Sequence, residues 1–312
     1  MHDINHEKRI NILGEIVREV ASTLTFTILE IGALPLEGQA EPFYKLVDLF
    51  PGSKIIAFEV DNHLCEQLNK KAKTGITYYP VALGRKEERC TFYETNDPMC
   101  CSLYKPNEKL ISLYNNMEMA MLKSVGSIDT VSLDFFMKNN AIESVDFIKI
   151  DIQGAELDVF KGGTGAIKEV VAIVSEVEFV PHYIDQPLFG DVCSFLTEHG
   201  FMFHKFLGMA GRALKPILME NNPNFPTQYM WSDAVFIKDI FEIHKLSSTK
   251  LLKMGLLSFI YGSPDVTFQC FKNYDEMNGT NLHTALFDLD NMIAQQNVKI
   301  KQKIKRKIKG LR

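Results

Sequence analysis

The chain has 312 residues, 46% of them hydrophobic and 23% charged, a composition suited to one large globular domain or a domain with an appendage. The formal net charge of −5 divides unevenly, because residues 298–312 carry eight basic residues and no acid, which leaves −13 on residues 1–297. The acidic body argues against specific nucleic-acid binding. The absence of any run of about 18 uncharged apolar residues argues against a spanning helix. In chain order, residues 25–31 (TFTILEI) form a β-rich run closed by Gly32. Residues 39–50 carry helix periodicity through Phe43, Leu46, Val47 and Phe50 and stop at Pro51-Gly52. A strand is predicted over 54–60, a helix N-capped by Asp61 over 61–73, a third strand over 76–83 and a short antiparallel strand over 89–94. Residues 95–126 are irregular and long enough to act as a binding loop or lid. Strands at 127–133, 145–151, 170–178, 201–207 and 231–238 then alternate with helices at 134–140, 156–168 and 188–199. This alternation predicts βαβ units in a mostly parallel sheet with helices on both faces. Ligands are then expected beyond the carboxyl ends of the strands.

The six cysteines make no CxxC pair and no zinc-like spacing, and they read as reduced thiols. Adjacent Cys100 and Cys101 leave a soft-metal site or a vicinal disulfide as the other readings. The first residues lack the basic-then-apolar plan of a secretory signal, so a cytoplasmic location is expected.

The chemistry concentrates at the predicted strand ends. The first strand closes on Glu30-Ile31-Gly32-Ala33, where a glycine permits close approach of a ligand to the backbone. The second closes on Phe58-Glu59-Val60-Asp61, and an acid at that position can accept from ribose hydroxyls. The loop from Ala33 to Gly38 lacks GxGxxG, holds Pro35 in place of an N–H donor, and adds Glu37. That disfavours a pyrophosphate, and it suits a nucleoside that bears a cation such as a sulfonium. Asp151 ends the strand of Asp146-Phe-Ile-Lys-Ile-Asp151, and Glu176 and Glu178 lie two residues apart on one face of the next strand. Three acids converging on one sheet edge either raise a carboxylate pKa for base work or bind a divalent cation such as Mg²⁺. His182 and Tyr183, just after that strand, are placed to act as base or as substrate contact.

Taken together, these blocks resemble the FkbM-type family of S-adenosylmethionine-dependent methyltransferases. The resemblance rests on Ile28–Ala33, Ile56–Asp61, Pro80-Val-Ala-Leu-Gly84, Ile128–Asp134, Phe147–Glu156, Glu176-Val-Glu178 and Trp231–Ile237, in that order over residues 26–238. It implies a Rossmann-like methyltransferase fold with a mostly parallel seven-stranded sheet, and methylation of a hydroxyl on a sugar, glycan or other small acceptor. It further implies cofactor contacts at Glu30, Gly32, Ala33, Glu59, Val60, Val81 and Ala82. Asp151, Glu176, Glu178 and His182 fall near the acceptor, the three acids serving as base or as metal ligands. A dinucleotide-dependent oxidoreductase and a non-catalytic scaffold of the same fold are the competing readings.

The expected division is a methyltransferase domain over 1–239, opened by a short N-terminal helix, and a helical appendage over 240–312. Helices predicted at 250–261, 266–277 and 282–295 build the appendage, which would cover the active-site edge or form a homodimer contact. Ile300, Ile304, Ile308 and Leu311 recur at helical spacing among the terminal lysines and arginines. Such a basic amphipathic helix is expected at an anionic membrane surface, here the inner face, or on a partner, with a solvated terminus as the alternative.

Overall fold

The central sheet grows from apolar runs too continuous to leave either face in water. The structure, a computed structural model, describes residues 4–34 and 41–293. Its strands are β1 (Thr27–Ile31), β2 (Lys54–Phe58), β3 (Ile76–Tyr79), β4 (Ala82–Gly84), β5 (Glu88–Thr95), β6 (Leu122–Ser132), β7 (Phe147–Ile150), β8 (Ala172–Glu178), β9 (Phe201–Phe206), β10 (Ala210–Arg212) and β11 (Gln228–Lys238). Its α-helices are α1 (Ile4–Val20), α2 (Lys45–Leu49), α3 (Asn62–Lys71), α4 (Glu108–Ile111), α5 (Leu133–Asn139), α6 (Glu156–Gly162), α7 (Phe189–Glu198), α8 (Ser248–Ile260) and α9 (Pro264–Asn278). Every residue of β7 is buried, and only Lys54 of β2 is exposed.

The described residues divide into a sheet unit, residues 26–34 and 53–240, and a helical unit, residues 4–25, 41–52 and 241–293. In the sheet unit the main sheet runs β3-β2-β1-β7-β8 in parallel. It continues into β11, which is antiparallel to β8. The eleven residues of β11 are long enough to pair with β9 over one stretch and with β10 over another. The chain winds from β1 outward to β3 and later returns to β7 on the other side of β1. This opens a crevice at the carboxyl ends of β1 and β7, where such sheets bind ligands.

Among the described residues the main sheet has eight strands rather than seven, because Ala210–Arg212 adds a short one. The third strand expected over 76–83 is broken: β3 stays in the main sheet, while β4 joins β6 and β5 in a separate three-stranded sheet. The expected irregular stretch ends early, since β6 starts at Leu122 to pair with β5. The helix expected over 156–168 stops at Gly162, where a Cβ would lie 2.5 Å from the carbonyl oxygen of Gly84, and one 3-10 turn follows at Ala166–Lys168.

The helical unit owes its form to apolar faces 200 and more residues apart in sequence. Leu13 and Val17 of α1 are fully buried, and the ring of His6 stacks on Phe259 at 5.7 Å. Gly255 lets α8 and α9 cross closely, since a Cβ there would lie 2.6 Å from the Phe271 ring. Ser247 caps α8, Pro264 opens α9, and Gly279 ends it in the left-handed conformation. The carboxylate of Asp275 accepts from the amides of Leu282 and His283 at 2.8 Å each, from His283 Nδ1 at 2.7 Å and from the Thr280 hydroxyl. The helix expected within the methyltransferase domain, α1, therefore belongs to the same unit as the expected appendage. Residues 298–312, with the expected basic amphipathic helix, and the loop at 35–40 lie outside the described residues. No described helix is long and apolar enough to cross a membrane.

Candidate active site

The residues expected to contact the cofactor assemble along the ends of β1, β2 and β3. Gly32 adopts φ +84°, a conformation open to glycine at little cost. A Cβ there would lie 1.9 Å from the carbonyl oxygen of Asp151, so the exits of β1 and β7 touch backbone to backbone. The amides of Gly32 and Ala33 donate to Phe58 O at 3.1 and 2.9 Å, and the amide of Asp151 donates to Ile31 O at 2.9 Å. Three neighbouring strand ends are thereby locked in register. Just beyond β2, half-buried Glu59 accepts from the Asp61 amide at 3.0 Å, while Asp61 caps α3 by accepting from the Leu64 amide at 3.0 Å. Val60 is exposed, Val81 is half-buried and Ala82 is buried at the start of β4. Glu30 is half-buried and pairs in register with Lys149 of β7.

The residues expected near the acceptor meet in one cavity of about 490 Å³, within the range of small-molecule sites. Asp151, Glu176, Glu178 and His182 all line it, together with Gln153, Tyr183, Arg212, Trp231 and Asp233. None of the expected cofactor residues lines it. Asp151 links the two sides, with its backbone against Gly32 and its carboxylate in the cavity.

Gln153 organises the acids. Its Nε2 donates to Asp151 Oδ1 at 2.8 Å and to Glu176 Oε2 at 2.6 Å. Its own positive φ of 59° turns the chain after β7, and Ser102 Oγ holds its carbonyl at 2.7 Å. The hydroxyl of Tyr183 reaches Cys100 O at 2.9 Å and Gln153 Oε1 at 3.0 Å, with one proton to give. Buried Glu156 closes the turn by accepting from the amides of Ile152 at 2.8 Å and Gly154 at 3.3 Å. Burial pushes the Glu156 carboxyl up to about 7 despite those donors. The Glu176 and Glu178 carboxyls are held well above the ordinary carboxylate range, first by burial and then by the neighbouring acids. Lys149 pairs with Asp233 at 2.9 Å and approaches Asp151 at 3.9 Å.

The carboxylates whose oxygens lie within 4.8 Å of one another are Asp151, Glu156 and Glu176, not the expected trio that included Glu178. The Gln153 amide donates to both Asp151 and Glu176, and Glu156 Oε1 accepts from the turn amides. Of the expected metal ligands, Asp151 and Glu176 fall in this cluster and Glu178 does not.

Beyond the acids, His182 is buried, and its Nε2 has no hydrogen-bond partner. Burial, and then the nearby Arg212 charge, push its pKa down to about 4, so the ring is neutral at pH 7. Its ring meets Trp231 edge-on at 5.5 Å, and the Arg212 guanidinium sits 4.9 Å from the Trp231 centroid. Sequence reasoning missed Gln153, Arg212 and Trp231 as site residues. For Gln153 the signal was its place in the turn Asp-Ile-Gln-Gly after a buried strand. Arg212 gave none, since it sits in a three-residue strand inside a loop region.

An acid-lined cavity opening beside the switch point of a mostly parallel sheet defines an α/β protein with its ligand site at the strand ends. The methyltransferase FkbM domain matches over residues 30–203, more than half of the chain. The chain therefore belongs to the FkbM methyltransferase family. Among solved structures it is similar to LepI in complex with SAM, at 8% identity and a TM-score of 0.31, over 73% of this chain. It spans 46% of the LepI chain, less than half of that protein's length. No curated protein matches the sequence.

Proposed function

We propose that this protein is an S-adenosylmethionine-dependent methyltransferase with a Rossmann-like core that methylates a hydroxyl of a small-molecule or glycan acceptor held in the cavity. The observation that carries the reading is Asp151, which joins the glycine exit of β1 to the acid-lined cavity. The residues present fit the cofactor. Gly32 leaves the β1 exit without a side chain, and Glu59 keeps its second carboxylate oxygen for a ribose hydroxyl while the first accepts from Asp61. Bound S-adenosylmethionine supplies an electrophilic methyl group on a sulfonium.

The chain's own tasks are alignment and removal of the hydroxyl proton. A neutral hydroxyl is a weak nucleophile. A carboxylate whose proton affinity is raised by burial is a better base than an ordinary one, and Glu176 and Glu178 meet that requirement. Gln153 holds Glu176 and Asp151 in fixed positions from which to receive the hydroxyl. His182 is a weak base with a pKa of about 4, and its role in this reading is contact with the acceptor.

Calorimetry with S-adenosylhomocysteine tests the reading. Saturable binding by the wild type, weakened by about tenfold or more in Glu59→Ala, is expected. No binding by the wild type, or equal binding by the variant, overturns the cofactor assignment.

A further inference from the structure

Arg212 stands in an unusual position for a charged side chain. It is 9% exposed, and its guanidinium hydrogen bonds go only to backbone carbonyls, to Asn116 O at 3.4 Å and Gly211 O at 2.7 Å. Among the described residues it has no ion-pair partner. Burial pulls its pKa down. The contrast with Lys149 is direct: that buried cation in the same unit is paired with Asp233. A buried cation left without an anion is costly, and folds keep one where a ligand completes it.

A second, independent observation lies beside it. His182 is 7% exposed and lines the same cavity, with a buried Nε2 that has no partner. A buried polar atom of this kind calls for an explanation, and a bound group supplies one. Trp231 lies between the two and packs against both. The planar fork of a guanidinium matches an oxyanion with two parallel hydrogen bonds, and a neutral imidazole with its proton on Nε2 adds a third donor.

We propose that Arg212 and His182 bind an oxyanion of the acceptor, a carboxylate or a phosphate, so that the acceptor is a hydroxylated anion rather than a neutral molecule. This rests on the methyltransferase reading only for the word acceptor; the anion site itself stands on Arg212, His182 and Trp231. The cavity then has two chemically distinct walls. Asp151, Glu176 and Glu178 take the hydroxyl, which can donate a proton to them. Arg212 and His182 take the oxyanion, which only accepts.

Trp231 is the single tryptophan of the chain, so its fluorescence reports on this wall alone. The full-length protein is titrated with glucuronate and with glycerol 3-phosphate, and in parallel with the neutral compounds glucose and glycerol, at constant ionic strength set with sodium chloride. A saturable change with at least one anion and none with its neutral partner is expected, and the arm that responds separates carboxylate from phosphate. In Arg212→Met the apparent Kd rises by about tenfold or more, and in Arg212→Lys by a smaller factor, because the charge remains and the fork is lost. Circular dichroism checks that each variant is folded. If Arg212→Met does not fold, Arg212→Lys and His182→Ala carry the comparison. No saturable response to either anion in the wild type, or unchanged affinity in the folded variants, overturns the inference. Calorimetry with S-adenosylhomocysteine on the same wild-type sample keeps the two readings apart. An anion response without cofactor binding sinks the methyltransferase reading and leaves the anion site, and the reverse sinks the anion site alone.

Discussion

The carbonyl oxygen of Asp151 lies 1.9 Å from the point where a Cβ on Gly32 would sit. The exits of β1 and β7 are thus in direct backbone contact, and the Asp151 carboxylate is aimed from that contact into the cavity beside Gln153 and Glu176. Disturbing Gly32 therefore moves the first member of the acid network, although Gly32 carries no side chain of its own.

Gly32→Ala is expected to cost about 2–4 kcal/mol of stability, from a positive φ and a backbone collision together. It should also abolish measurable S-adenosylhomocysteine binding. Thermal melts followed by circular dichroism, paired with calorimetry, check both. A variant with wild-type melting and wild-type affinity would show that the two strand ends separate freely.

Glu176→Gln is expected to lower the transfer rate by about 10²–10⁴ while leaving S-adenosylhomocysteine affinity within about twofold. The assay is methyl transfer from labelled cofactor to an acceptor found by screening. In the wild type the rate should rise with pH through a pKa above the ordinary carboxylate range, because the raised carboxyl must lose its proton before it acts as base. His182→Gln should leave that pH profile unmoved, since the ring is already neutral there. A profile that shifts with His182 and not with Glu176 would transfer the base role to the imidazole.

Glu156 provides a stability signature. Its folded-state pKa of about 7 lies above the unfolded value of about 4.3. Below the lower value both states hold the proton and the group adds no penalty. As pH rises through the window between them, the unfolded state ionises first and the folded state loses stability, with the loss complete above about 7. Glu156→Gln should keep the amide-accepting oxygen and remove this slope, gaining up to about 4 kcal/mol relative to wild type at pH 8. Urea melts of both proteins from pH 4 to 8 measure the difference, and parallel curves would refute it.

Chelation is expected to have no effect on turnover, because the Gln153 amide already donates to both Asp151 and Glu176. Activity lost on treatment with EDTA and restored by Mg²⁺ would overturn this reading of the cluster.

Asp275 anchors the chain after α9 in the helical unit. Burial alone would raise its pKa, but the amides of His283 and Leu282, the Thr280 hydroxyl and the His283 ring outweigh it and hold the carboxyl below its ordinary value. Asp275→Ala leaves those donors unsatisfied and is expected to cost about 2–3 kcal/mol. In the wild type this contribution is present above the unfolded pKa of about 3.9 and is lost as pH falls through the lower folded value. Calorimetric melts of the wild type and the variant decide it.

Much of the site was legible in residue order. Asp151, Glu176 and Glu178 end neighbouring parallel strands, and parallel strands bring their carboxyl ends to one edge, so strand assignment alone gathers them. His182 follows the same strand end and arrives in the same cavity. The grouping of Glu156 with Asp151 and Glu176 was not legible, because it depends on how the turn after β7 folds the first residue of α6 back over the strand end.

Alternating apolar runs and helix-period segments by themselves determined most of the strand and helix order, the parallel core and the acids at its edge, because each periodicity states which face of an element is buried. What that face is buried against is a different quantity. Only the tertiary structure decided that α1 belongs with α8 and α9, and that the three-residue strand holding Arg212 pairs with β11 to set a guanidinium over Trp231 beside His182. Both depend on segments far apart in the chain, whose meeting is fixed by packing and strand register rather than by any local pattern.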